Sequence, residues 1–150
     1  MAVKTLSNNF KFEQGRGNID FANNNFRAIL MTDTFDFDRT VHGTYGDLGE
    51  GDELSTGNGY TEGGKQLTVE SAWARDDVNH KATIAWANEV WTATGGELGP
   101  VGGALVLQWD GTTEANSIVV GEIKFAEAIT VADGASLRLD NLGYDTKQAA

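Results

Sequence analysis

The chain has 150 residues, 40% of them hydrophobic, with 19 Gly, one Pro, no Cys and a formal net charge of −11. That length suits one domain with a core of its own. The missing Cys excludes disulfides, thiolate catalysis and thiolate-ligated metal centres, and the acidity argues against nucleic acid, which needs a basic stripe.

The first 25 residues are polar and Asn-rich. Leu6, Phe10 and Glu13 have helical spacing and Ser7 is a candidate N-cap, so a short helix over 7–14 is one reading. An extended arm lying on a neighbour is the other. No apolar signal-peptide core opens the chain, and no run approaches the roughly 18 apolar residues of a membrane span, so neither export nor membrane insertion is expected.

Residues 26–31 read as a strand with apolar groups on both faces, which predicts burial on both sides. An acidic, aromatic stretch follows, with Phe35 and Phe37 set between Asp33, Asp36 and Asp38. Residues 39–51 then form a long glycine-rich loop. A loop of that length in a small domain usually has a job or is mobile.

The centre of the chain is the stretch 57–109, which holds all four Trp. It opens on the turn-rich Gly57-Asn58-Gly59-Tyr60-Thr61-Glu62-Gly63-Gly64. Two alternating strands follow, 67–74 and 81–87. Leu67, Val69, Ser71 and Trp73 share the face expected to be buried in the first; Ala82, Ile84 and Trp86 share one in the second. The alternation slips at Asn88-Glu89, as a bulge would cause, before Val90-Trp91. Residues 95–99 read as a surface loop, and 103–109 as a strand with Leu105, Leu107 and Trp109 on one side.

Asp110-Gly111 signals a turn. Residues 117–126 place Val119, Gly121, Ile123 and Phe125 opposite Glu122 and Lys124. Ile129 and Val131 lead into a hairpin at Asp133-Gly134, and 136–142 return. About seven to nine short strands result, the pattern of an all-β antiparallel β-sandwich or jelly-roll-like barrel. The expected division is an N-terminal arm or short helix over 1–25, a β-sandwich domain over 26–144 and a loose tail over 145–150.

No residue constellation spells out a reaction. The two possible bases, His42 and His80, sit in predicted loops, and no Gly-x-Ser-x-Gly elbow exists. The acidic groups Asp33/Asp36/Asp38, Asp47/Glu50/Asp52/Glu53 and Asp76/Asp77 read as solvated loops. Calcium binding by such loops stays open, although the first lacks the Gly and late Glu of an EF-hand. Trp73, Trp86 and Trp109 fall on apolar parities, and Trp91 is the one expected at the surface. Trp73, Trp86, Leu105, Leu107, Ile123 and Leu139 are expected to be buried between two sheets.

The ordered series Gly59-Tyr60-Thr61-Glu62-Gly63-Gly64, Leu67, Asp76-Asp77-x-Asn79, Val90-Trp91 and Val120-Gly121-Glu122-Ile123-Lys124-Phe125 resembles a group of small tailed-bacteriophage virion proteins. The strand Phe26-Arg27-Ala28-Ile29-Leu30-Met31 and the Phe35-Asp36-Phe37-Asp38 loop fit the same order, so the likeness spans residues 5–142. Residues 95–103 depart from it. The resemblance implies a head decoration (cement) protein: a β-sandwich, often trimeric, on the outer surface of the major capsid shell. It implies no enzyme activity, no catalytic residue and no cofactor. Assembly in the host cytoplasm and residence on the virion exterior go with it. A head-fibre or tail module that binds a receptor or carbohydrate is the alternative. The expected interface candidates are Leu6, Phe10, Phe12, Phe35, Phe37 and Trp91. Leu6, Phe10 and Phe12 are expected as anchors of a homotrimer, because aromatic groups on a chain end need a docking surface.

Overall fold

The computed structural model describes residues 2–147. Its elements in chain order are β1 (Thr5–Leu6), α1 (Asn8–Gly15), β2 (Phe26–Thr32), β3 (Lys65–Gln66), β4 (Val69–Asp76), β5 (Lys81–Trp86), β6 (Glu89–Thr92), β7 (Leu98–Gln108), β8 (Ile118–Val131), β9 (Ser136–Leu139) and β10 (Gly143–Asp145). Three antiparallel sheets result, in the orders β1-β8-β7-β2-β3, β10-β5-β4 and β6-β9. The fold is all-β and sandwich-like.

β7 sits in the middle of the large sheet. Its run Val101 to Gln108 is buried throughout, because both faces of the strand are covered. A strand covered on both sides reads as a continuous apolar run rather than an alternation. On the inner face, Ala28, Leu30, Ala104, Val106 and Ile123 pack with Ile84, Trp86, Trp91 and Leu139 of the smaller sheets. On the outer face, Ile29, Met31, Leu105, Leu107 and Val119 form a second cluster. What covers that face is the irregular segment after β2, which lays Phe35, Phe37, Tyr45 and Leu48 over it. The long loop is therefore a lid of apolar side chains, and burial is its job.

The strand-to-strand register explains one departure from the expected parities. Val106 lies opposite Gly121, but Leu107 lies opposite Val119, so β8 carries an extra residue there. A bulge of this kind switches the faces that follow. Val119 thus joins the outer cluster, while Val120, Ile123 and Phe125 join the inner one. The predicted grouping of Val119 with Ile123 and Phe125 is corrected by this one residue.

β4 departs further. Of the face expected to be buried, Leu67 enters the inner core, but Val69 is 49% exposed, Ser71 is exposed and Trp73 is only half-buried. β4 is an edge strand with β5 alone beside it, and its register slips between Val69 and Ser71 and again between Ser71 and Ala74. Trp73 still reaches the core margin, stacking on Phe21 with ring centroids 4.8 Å apart. Of the rest of that expected core, Trp86, Ile123 and Leu139 are buried between the sheets, whereas Leu105 and Leu107 are buried on the outer face under the lid. The predicted surface loop over 95–99 also shortens, because Leu98 is buried and already paired with Val131.

Residues 2–25 belong to this body. Ser7 caps α1: its Oγ accepts from the Phe10 amide at 2.9 Å and donates to the Val119 carbonyl at 2.5 Å. Val3, Leu6, Phe10 and Phe21 enter the inner core. At the other end, Thr146 still exchanges hydrogen bonds with Ala82, so the expected tail begins later than 145; residues 148–150 lie outside the described residues.

Candidate functional site

The stretch that opens the centre of the chain, 57–64, is built around a carboxylate. Glu53 accepts from the Tyr45 hydroxyl at 2.5 Å, from the Tyr60 hydroxyl at 2.7 Å and from the Gly63 amide at 2.7 Å. Tyr60 in turn accepts from the Leu30 amide at 3.1 Å, so the hub is tied to the central sheet. Burial and the Glu53 charge push the Tyr60 hydroxyl well above its ordinary range. Burial, then the hydrogen bond to Glu53, does the same to Tyr45. Both hydroxyls stay protonated and donate. A carboxylate with its oxygens engaged by donors is a clamp rather than a general base.

The glycines around this hub are required by close backbone approach. A Cβ on Gly64 would lie 1.9 Å from the Ala28 carbonyl oxygen, and one on Gly59 would lie 2.1 Å from that of Thr92. Both also have positive φ, which side chains disfavour. Arg27 closes the cluster: its guanidinium carbon lies 4.5 Å from the centre of the Trp109 ring, and Nη1 donates to the Gly63 carbonyl at 3.3 Å. Tyr45 meets the Trp109 ring edge-on at 5.3 Å. A hollow of about 360 Å³ beside the hub is rimmed by Glu50, Glu53 and Glu62. Among the described residues, no group of three or more His, Asp or Glu is placed to hold a metal ion.

Of the acidic residues expected to be solvated, Asp33, Asp36, Asp38, Glu50 and Asp77 are exposed, and others have structural roles. Glu53 is the half-buried hub. Asp47 accepts from the Gly43 and Thr44 amides, and Asp52 from the Gly49 amide, so each fastens a turn of the lid. Within the same lid, Phe35 and Phe37 pack on His42, whose Nδ1 accepts from the Asp38 amide at 2.9 Å. His80 is exposed in the β4–β5 turn.

The expected interface residues do not come together on one surface. Leu6 and Phe10 are buried in the inner core, Phe35 is buried in the outer one and Phe37 is half-buried against it. Trp91, expected at the surface, is 1% exposed. Its strand β6 pairs with β9, and Trp91 lies opposite Leu137 on the inner side. Lys65 covers one face of the ring at 5.4 Å and Tyr60 approaches it at 6.4 Å. Only Phe12 projects, at 60% exposure, and the Arg16 guanidinium lies over it. The helical spacing that pointed to Leu6 and Phe10 is equally the signature of a helix docking on its own sheet. A chain end gives sequence reasoning no way to separate the two.

Two surface features escaped the sequence reading. The β4–β5 hairpin carries Val78 at its tip, at 86% the most exposed of the large apolar side chains among the described residues. The Asp76 carboxylate holds that turn by accepting from Asn79, which keeps its pKa below the ordinary range. The second feature is a groove of about 480 Å³ beside β8. Before β1 the chain leaves β8 and turns to β10, with the Val3 amide donating to the Gly143 carbonyl at 3.1 Å. The wedge left between them is floored by Ala2, Ile123, Phe125 and Ile129 and rimmed by Lys4, Lys124 and Glu127. Alternation in 67–74 hid the first feature by predicting a buried face. Separation in sequence between residue 2 and residue 129 hid the second.

The chain matches no family model, no curated protein and no solved structure.

Proposed function

We propose that this chain is a structural protein of a tailed-bacteriophage virion. It is a non-enzymatic head decoration (cement) protein that binds the outer surface of the major capsid shell as a homotrimer and stabilises it. The observation that carries the reading is where the resembling motifs fall in the fold. Gly59 and Gly64 are joints at which a Cβ would collide with the backbone of a crossing strand, and Gly121 is a third, with a Cβ only 2.2 Å from the Thr5 carbonyl oxygen. Tyr60 and Gly63 hold Glu53. The ordered motifs are thus positions that this backbone needs.

The surface supports a binding role. A rigid β-domain with a projecting hairpin and an apolar groove has the means to bridge subunits. Repetition over symmetric shell sites multiplies weak contacts by effective concentration. Burial of Trp91, and the Arg27 guanidinium over Trp109, remove the stacking faces that a carbohydrate-binding module needs. The engagement of both Glu53 oxygens speaks against hydrolysis at the acidic hollow.

The test uses heads of the phage whose genome encodes the chain, assembled without it. Added protein is expected to co-sediment with the heads at saturable stoichiometry and to raise the temperature at which they release DNA. Heads that release DNA at the same temperature with and without it, or a protein found with isolated tails instead, would overturn the reading.

A further inference from the structure

We propose that the β4–β5 hairpin tip of one copy seats in the groove beside β8 of the next copy, joining copies head to tail into a closed ring. The contact specifies how the trimer of the proposed function is made, and it rests on that reading only for the number three.

Val78 is an aliphatic knob left in water at the end of a hairpin. The groove beside β8 is an apolar hole on the opposite sheet system, floored by Ile123, Phe125 and Ile129. Charge matches them. The knob is preceded by Asp76 and Asp77, and the groove is rimmed by Lys4 and Lys124. Lys124 already donates to the Phe35 carbonyl at 3.3 Å, so Lys4 is the cation that answers the incoming Asp77. Arg75, whose guanidinium now pairs with exposed Asp77 at 3.5 Å, is the complement for Glu127 on the same rim. The existing Arg75–Asp77 pair is solvent-exposed and so holds little back.

β4 is the outer edge of the three-stranded sheet β10-β5-β4, and it shows Val69, Ala72 and Ala74 to solvent. The knob alone is too small for a stable contact of roughly 1,600 Å² in total. The exposed flank of β4 supplies further area alongside it. Knob and hole lie on different surfaces, so the contact is heterologous and closes into a ring when the rotation allows. The bulged edge of β4 does not suit direct strand-to-strand pairing, because bulges twist an edge away from partners. Side-chain docking fits it better.

The full-length protein is measured by sedimentation equilibrium. A discrete oligomer is expected, with Val78→Asp raising its dissociation constant at least roughly tenfold, as loss of an interface anchor does. Ile129→Asp, from the groove side, is expected to act likewise. Lys4→Glu weakens the oligomer, and Lys4→Glu combined with Asp77→Lys restores it. Circular dichroism melts check that Val78→Asp, a change at an exposed tip, stays folded. A monomeric parent, an open-ended concentration-dependent polymer, an unaltered Val78→Asp oligomer or no rescue by the double variant would each overturn the contact. A ring that behaves as expected but leaves heads unbound sinks the capsid reading alone. A monomer that decorates heads sinks the ring alone.

Discussion

Two hairpins of this molecule read alike in sequence and end in opposite environments. β7 from Val101 and β8 from Val119 to Ile123 are the spine of the large sheet, buried on both faces, whereas β8 from Lys124 to Thr130 is exposed except at Phe125. β4 and β5 also pair in antiparallel fashion, yet β4 is exposed on both faces and only Ile84 and Trp86 of β5 are fully buried. Alternation in 67–74 looked more like a half-buried strand than the unbroken Ala104-Leu105-Val106-Leu107 did. The difference lies in what covers each strand. β7 has a sheet on one side and the Phe35–Leu48 lid on the other, whereas β4 meets the core margin through Trp73, stacked on Phe21 and Tyr144, and leaves Val69 to Ala72 exposed. Strand pattern reports a preference for burial, and the neighbours supply it.

The comparison is tested most severely at Trp86, the largest side chain that the β4–β5 hairpin commits to the core. Trp86→Ala should cost about 3–5 kcal/mol in urea unfolding through the cavity it leaves. A loss below about 1 kcal/mol would mean that β5 is as peripheral as β4. In β8, Gly121→Ala places a methyl group 2.2 Å from the Thr5 carbonyl oxygen. Overpacking there should cost about 1–3 kcal/mol, and proteolysis should then begin near the displaced β1. Neutral behaviour would show that β1 is loosely held on the spine.

Ser7→Ala removes both the α1 cap and the bond to the Val119 carbonyl. About 1 kcal/mol, up to about 2, is expected from the thermal or urea midpoint. No change would detach α1 from the spine. Glu122 probes the lid side of β8. Burial raises its pKa above the ordinary glutamate range; Lys124 and His42 act against that and Asp36 with it. A carboxyl with a raised folded pKa favours the fold when protonated. Its contribution is present at low pH and lost as pH rises through the folded value. Glu122→Gln should therefore raise the urea midpoint at pH 7, and the gain should vanish near pH 4. A gain that persists at acid pH would assign the effect to packing rather than charge. At the other hairpin, Val69→Thr should change stability by no more than about 0.5 kcal/mol in the monomer, since Val69 is already in water. A larger loss would mean that β4 is covered within the chain after all.

The candidate site was legible only in its parts. The turn-rich run 57–64 stood out by its glycines, but its purpose depends on Glu53, which looked like one acid among several. Only the fold brings Tyr45, Tyr60 and Gly63 to the same two oxygens. Trp91 was misplaced for a related reason. Its short strand after the slip at Asn88-Glu89 gave too few residues to set a parity, and pairing with β9, distant in sequence, decides its face.

What the sequence by itself determined is the all-β class, the doubly apolar β2 and most of the core; the Ser7-capped helix and the extended arm stayed two open options. The determined features follow from local terms: periodicity and turn residues act over a few neighbours and are written in the order of the chain. What only the tertiary structure decided is which face of each strand meets a partner. The bulge at Val120 exchanges the two faces of β8, the 33–53 segment becomes a lid, Leu6 and Phe10 turn inward, and Val78 and the β8 groove are left outside. Burial is a property of pairs of surfaces, and the second surface of each pair comes from a remote part of the chain.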